Sequence, residues 1–378
     1  MVEAAVISNG LDGIIVAQTR ISEVDGQRGR LIICGRDAEV LSVNSSFEET
    51  CDLLWKKEGE QQAGLAALQE QFGKARLAAF EHLKAHPGII QQENPMDALR
   101  TAISSLPGQS QTEKNNASTS AHADFARITA AVGVFAANWA RRQKGLPLAQ
   151  PDPKLSIAAD FLRVIRDQTP RQEEVQALDT YLTTVSDHGM NASTFTARVV
   201  ASTESDNISC VVAAIGALKG PLHGGAPGPV LEMLDEIGSA ENAEAWLNRE
   251  LDSGKRIMGM GHRIYRVRDP RAAIFEKSIG TLEKAGLVTT RLSLARAVEK
   301  TAESILASRH PERPLKANVE FYTAVLLDAL QIPHDLFSAV FATGRVAGWC
   351  AHIAEQRTAA RLIRPGSQYI GAYPANTN

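Results

Sequence analysis

Residues 335–356, DLFSAVFATGRVAGWCAHIAEQ, decide the fold class of this chain. Phe337, Phe341, Val346, Trp349 and Ile353 spread round nearly the whole helical circumference, so the stretch reads as one long helix with protein on all sides. Gly344, Gly348 and Ala351 form a stripe of small residues along which another helix can approach closely, within the chain or across a subunit boundary. Arg345 lies mid-helix. A buried guanidinium needs an anion, because removing water from an unpaired charge is costly. That anion is either a carboxylate of this chain or one carried by a substrate.

The helical period extends outward from there. Leu65, Leu68, Phe72 and Leu83, then Ile128, Val132, Phe135 and Trp139, recur at steps of three and four. Further helices are predicted over 157–166, 173–186, 192–203 and 208–218, the last stopped by Gly220-Pro221. The fold is thus mainly α. The β content expected is a small N-terminal hairpin, with strands over 14–22 and 30–34 about Asp25-Gly26. The polar stretch 104–120 has little to bury and reads as an exposed loop. Glycine and proline concentrate at 222–227 and 254–261, which sets off a smaller helical unit, 226–332, from a larger one made of 1–225 and 333–378. Gly225 and Pro333 are the expected hinges.

Composition bounds the function. The chain has 378 residues, 44% of them hydrophobic, enough for one large or two ordinary domains with a substantial core. Forty basic residues against 43 acidic ones give a net charge of -3, with no long like-charge block, which argues against a nucleic-acid surface. Cys34, Cys51, Cys210 and Cys350 lie far apart without a CxxC pair, as expected of reduced thiols in a cytoplasmic protein. No export signal and no apolar run of membrane-spanning length is present, so no membrane role is expected.

Chemistry concentrates in the loop Lys255-Arg256-Ile257-Met258-Gly259-Met260-Gly261-His262. Two glycines one residue apart let the backbone approach a ligand, and a basic pair precedes them, so a phosphate-bearing molecule could lie beside His262. An ordinary glycine turn with a solvated imidazole is the alternative. Asp269 and Pro270 read as N-cap and first residue of a helix, placing Arg271 on its first turn. His188, His223 and His262 lie beside glycines or segment boundaries, whereas His352 reads as a core histidine. The lack of HxxxH, CxxC or a carboxylate cluster argues against a metal. Glu320, between apolar neighbours, is either a base with raised pKa or an exposed helix-start residue.

Together these motifs resemble the citrate synthases. The likeness runs through Gly10-Leu11-Asp12-Gly13, 47–55, 187–196, 220–226, 258–265 with Asp269-Pro270-Arg271, 318–322, 345–352 and Arg364-Pro365. It implies a helical two-domain homodimer that condenses acetyl-CoA with oxaloacetate and hydrolyses the citryl thioester, with no bound cofactor. It further implies that His188, Arg271 and Arg345 hold the oxaloacetate carboxylates, with Arg364 reaching in from the partner subunit. His223 would hydrogen-bond the thioester oxygen, His262 would polarise the ketone, and Glu320 would remove the methyl proton. Arg256, Ile257, Met258, Gly259, Met260 and Arg266 would lie along CoA. Two departures stand out: Glu320 occupies a position that is usually Asp, and Pro227 one that is usually Asn. A 2-methylcitrate synthase using propionyl-CoA is the nearest alternative, since one methylene is worth only about 1 to 3 kcal/mol of discrimination. A catalytically weak relative that senses oxaloacetate or CoA is a further one.

Overall fold

The computed structural model describes residues 9–11, 13–57, 59–108, 117–223, 227–262, 264–287, 291–312 and 315–372. A small antiparallel sheet opens the chain: β1 (Ser22–Asp25), β2 (Arg30–Ile33) and β3 (Arg36–Asp37), in that order. It differs from the expected hairpin. Residues 14–21 form no strand, and Ser22 pairs with Ile33, Asp25 with Arg30. The register follows from the Asp25 carboxylate, which accepts the backbone N–H groups of Gln27 and Arg28 and so makes Asp25 the last strand residue rather than part of the connection.

Helices supply the rest. The first six are α1 (Ala38–Asn44), α2 (Phe47–Trp55), α3 (Leu65–Ala85), α4 (Pro95–Ser104), α5 (Ala117–Gln143) and α6 (Ile157–Arg166). After them come α7 (Gln172–Val185), α8 (Ala192–Ala201), α9 (Asn207–Leu218), α10 (Pro227–Ile237), α11 (Ala243–Asp252), α12 (Pro270–Lys284), α13 (Arg291–Arg309), α14 (Val319–Ala329) and α15 (Phe337–Ala359). The expected loop over 104–120 is shorter than the sequence suggests: α4 reaches Ser104, α5 already starts at Ala117, and 109–116 lie outside the described residues. Among the described residues no helix is long and apolar enough to cross a membrane.

α15 is the hub. It packs on α2, α5, α7, α8 and α9, and Val346, Trp349, Cys350 and Ile353 are fully buried. A 3-10 turn, His334–Leu336, precedes it, so the helix starts two residues later than the sequence pattern suggests. Its glycines serve the packing. A Cβ on Gly344 would lie 2.6 Å from Val185 Cγ2, and one on Gly348 would lie 2.2 Å from the carbonyl oxygen of Ser186. The small-residue stripe therefore receives the carboxyl end of α7 of the same chain. A second packing unit pairs α12 with α14 and sets α12 against α7.

Candidate active site

The end of α7 delivers the first imidazole. Ser186, Asp187 and His188 follow it in the interior, and Gly189 turns the chain with φ +60° before Asn191 caps α8. His188 Nε2 lies 3.1 Å from the Tyr265 hydroxyl. Burial, then the charges of Arg271 and Arg345, hold the His188 pKa well below the usual histidine range, so its ring is neutral.

His223 follows α9 in the turn after Gly220. Its Nε2 receives the backbone N–H of Ser193 at 3.2 Å and lies 2.8 Å from the Ser193 hydroxyl, which also accepts Trp349 Nε1–H at 3.1 Å. A backbone N–H can only donate, so Nε2 is the acceptor and the ring proton sits on Nδ1. Burial and the charge of Arg345 push His223 down to about 4.

His262 has the opposite tautomer. Its Nδ1 accepts two backbone N–H groups, from Ile264 and Tyr265, each at 3.0 Å, leaving Nε2 as the donor. It too lies near pKa 4, through burial and then the charge of Arg271. The loop leading to it is stitched to the entry of α14. Gly261 N–H donates to Lys316 O at 2.7 Å, Asn318 N–H to Gly259 O at 2.9 Å, and Asn318 Nδ2 to Gly261 O at 2.8 Å. Gly259 and Gly261 have φ +73° and +83°, and a Cβ on Gly259 would meet Phe321 Cδ2 at 2.8 Å. These glycines thus meet the demands of the turn and of the chain's own helix, beside any ligand the loop receives.

Asp269, Pro270 and Arg271 open α12 as expected. The Asp269 carboxylate caps the helix and clasps Arg271, with Nε at 3.0 Å and Nη2 at 2.8 Å. The same carboxylate accepts Val319 N–H at 3.2 Å, tying α12 to α14. Asn318 caps α14 by accepting Glu320 N–H at 2.9 Å, which places Glu320 on the first turn. Glu320 is partly buried, and its pKa is raised to about 7 by burial, opposed by Arg271 and Arg345 and assisted by Asp269.

Arg345 completes the cluster. It is 1% exposed, donates Nε–H to Val185 O at 2.6 Å, and stacks 4.6 Å from the Phe341 ring centroid. Its Nη2 has no hydrogen-bond partner among the described residues. Burial lowers its pKa to about 10, with Asp187 opposing. Arg345 is felt by His188, His223 and Glu320, and Arg271 by His188, His262 and Glu320, so one connected field joins all six groups. The arrangement offers two fixed N–H donors, a carboxyl poised near neutrality and a buried cation with an open valence. Such a set suits an anionic substrate on which negative charge develops during reaction.

Arg256 and Arg266 are exposed, Ile257 and Gly259 are buried, and Met258 and Met260 are half-buried. Arg364 is exposed in the irregular segment after α15 and has no ion pair among the described residues. Gly225 lies outside the described residues, as does the side chain of Pro227. Ser193 and Tyr265, which contact the imidazoles, carry no periodic signal of their own, because only the folded chain brings each to its histidine.

Residues 10–366 match the family described as citrate synthase, C-terminal domain. Citrate synthase 2 of Bacillus subtilis is 39% identical over 96% of this chain and 96% of its own length. A 2-methylcitrate synthase of Mycobacterium tuberculosis is 35% identical over 97% of this chain and 91% of its own. Among solved structures, the citrate synthase of Thermotoga maritima aligns with TM-score 0.82 and 31% identity over 99% of this chain and 98% of its own. The ternary complex of Thermoplasma acidophilum citrate synthase with carboxymethyl coenzyme A and oxaloacetate aligns at TM-score 0.84 and 26% identity, over 99% and 98%.

Proposed function

The chain belongs to the citrate synthase family, and on that premise we propose how its residues divide the work. It is an acyltransferase that condenses acetyl-CoA with oxaloacetate and hydrolyses the citryl thioester to citrate and CoA. The observation that carries the assignment of roles is the open Nη2 of buried Arg345, in a field shared with neutral imidazoles and a near-neutral carboxyl. A carboxylate of oxaloacetate satisfies that nitrogen. Arg271 and His188 take the remaining carboxylate oxygens, since planar guanidinium forks match them bidentately.

Glu320 removes a methyl proton from acetyl-CoA, its pKa near 7 giving both ionised form and basicity at neutral pH. As the enol forms, charge grows on the thioester oxygen, and His223 Nδ1–H supplies the preorganised donor. The enol carbon attacks the ketone of oxaloacetate while His262 Nε2–H stabilises the developing alkoxide. Both imidazoles have the right tautomer, because Ser193 and the 264–265 backbone occupy the other nitrogen. Residues 256–260 and Arg266 lie along CoA.

We propose further that the chain divides into a large unit, 1–225 with 333–378, and a small one, 226–332. His188, His223 and Arg345 come from the first, and His262, Arg271 and Glu320 from the second, so the site is the cleft between them. A homodimer is supported by the apolar side chains the single chain leaves in water, Ile15 at 90% and Ile370 at 92% exposure among them. Arg364, exposed in the same terminal segment, would then serve the partner's cleft. The unpaired cysteines suit a cytoplasmic protein.

A thiol-release assay with oxaloacetate tests the reading. CoA release from acetyl-CoA, strongly reduced in Arg345→Leu at sub-saturating oxaloacetate, is the expected result, and no release by the wild-type protein from either acyl-CoA would overturn it. The 2-methylcitrate synthase relative favours one alternative substrate, propionyl-CoA. A kcat/KM for propionyl-CoA above that for acetyl-CoA would establish it.

A further inference from the structure

Behind the site lies a buried polar relay that the assigned roles do not use. Asp187 is wholly buried; its Oδ2 accepts the Ser22 hydroxyl and, at 3.0 Å, the Gly189 N–H. Its Oδ1 lies 3.2 Å from Nε2 of His352, which is also fully buried; the two atoms are within ion-pair distance but outside hydrogen-bond geometry, and neither has another partner among the described residues. His352 Nδ1 lies 3.0 Å from Arg198 Nη1. A guanidinium can only donate, so Nδ1 is the acceptor and the imidazole proton sits on Nε2, facing Asp187. Arg198 is fixed in turn by Glu355 Oε2 at 2.6 Å and Gln356 Oε1 at 3.1 Å. The core histidine expected from sequence is therefore the middle of a relay that ends one residue before His188.

The relay bears on Arg345. Asp187 provides the strongest charge favouring that guanidinium, yet no ion-pair contact joins them among the described residues. The two are close along α15: a Cβ on Gly348, one turn beyond Arg345, would lie 2.6 Å from Asp187 Oδ1. Arg345 Nε meanwhile holds Val185 O, two residues before Asp187. An aspartate freed of its restraints could turn onto the open Nη2 and compete with a substrate carboxylate. Burial makes that collapse favourable, because it would satisfy two desolvated charges at once.

The geometry points to His352 as a positioning residue: with Ser22 and the Gly189 N–H it pins Asp187 off Arg345, near enough to support the cation and too constrained to neutralise it. The inference rests on Arg345 as a substrate-carboxylate site. Loss of oxaloacetate binding in Arg345→Leu tests that premise separately.

The experiment is a mutant cycle on the full chain, reading KM and kcat for oxaloacetate at saturating acetyl-CoA. His352→Leu releases Asp187 and should raise KM about tenfold or more, equivalent to about 1.4 kcal/mol of binding, while kcat changes less than about threefold. Adding Asp187→Asn removes the competing charge and should return KM toward the wild-type value. His352→Gln, which keeps an N–H near the Nε2 position, should resemble wild type and covers the case in which the leucine variant does not fold. A KM unchanged in His352→Leu, or raised further by Asp187→Asn, would overturn the inference. So would His352→Gln behaving like a leucine substitution in a folded protein.

Discussion

Replacing Glu320 by Gln should make the ligand-free protein more stable while removing its base, and the gain should depend on pH. The Glu320 carboxyl titrates near 7 in the fold, against an ordinary value of 4.5, chiefly because burial penalises its charged form. The sign follows from linkage. A carboxyl with a raised folded pKa binds its proton more tightly in the native state, so its stabilising contribution is complete below about 4.5 and is lost as pH rises through 7. The difference of about 2.5 pH units, at roughly 1.4 kcal/mol each, sets an upper limit of about 3.5 kcal/mol. With an unfolding entropy of about 2.1 cal/mol/K per residue, 378 residues give roughly 0.8 kcal/mol/K, so the Tm shift is about 4 °C. Thermal unfolding of both proteins without substrate, from pH 4.5 to 8.5, reads it. The stability of the Glu320→Gln variant minus that of the wild type should open between pH 5 and 7 and level off above. A difference independent of pH would refute burial as the cause of the raised pKa. Activity of Glu320→Gln should fall by on the order of 100-fold to 10,000-fold, as for loss of a general base.

Three further outcomes are expected. Arg345→Leu should raise KM for oxaloacetate by about 30-fold or more, as truncating one partner of a buried charge pair does, while leaving the Tm of the free protein unchanged or higher, because an orphaned buried charge is removed. Gly348→Ala should cost about 1 to 3 kcal/mol in denaturant unfolding, since its methyl would meet Ser186 O and Asp187 Oδ1 and force α15 from α7. Glu320→Asp, although it restores the residue usual in the family, should lower kcat by about 10- to 100-fold, because a base retracted by one methylene leaves a site set for the longer one; an unchanged rate would count against it.

What the sequence could disclose followed the range of the forces involved. The burial of α15 was legible because Phe337, Val346, Trp349 and Ile353 leave no polar face, and the requirement of Arg345 for an anion followed from that burial alone. The cap at Asp269 and the place of Arg271 were legible because capping is local. Sequence misplaces the first strand because Ile14, Ile15 and Val16 look like strand residues, yet no strand among the described residues pairs with them. That Gly259 and Gly261 also pack against Phe321 and Leu315 was hidden, because a glycine's neighbour across space has no trace in its own segment. The tautomers of His223 and His262 depend on single N–H groups from Ser193, Ile264 and Tyr265, geometry that exists only after folding. The relay through His352 was hidden for the same reason: its members are drawn from residue 22, from α8 and from α15.

The charge balance of the site has a consequence for the order of events. Arg271 is already matched by Asp269, whereas Arg345 is not matched by contact, and both guanidinium groups hold Glu320 below the value burial alone would give. Carboxylates arriving on these arginines offset that influence, so the Glu320 pKa should rise once oxaloacetate is bound. A higher pKa makes the ionised form a stronger base, and it becomes strongest when the electrophile is already in place to trap the enol. The two imidazoles start from about 4, so a comparable upward shift still leaves them neutral donors at pH 7.5. The pH profile of kcat/KM for acetyl-CoA at saturating oxaloacetate measures this directly, because it titrates the binary complex. Its acid limb should be centred above 7, higher than the midpoint given by the stability difference in the free protein. A limb at or below 7 would mean that substrate carboxylates do not draw on the arginines that govern Glu320.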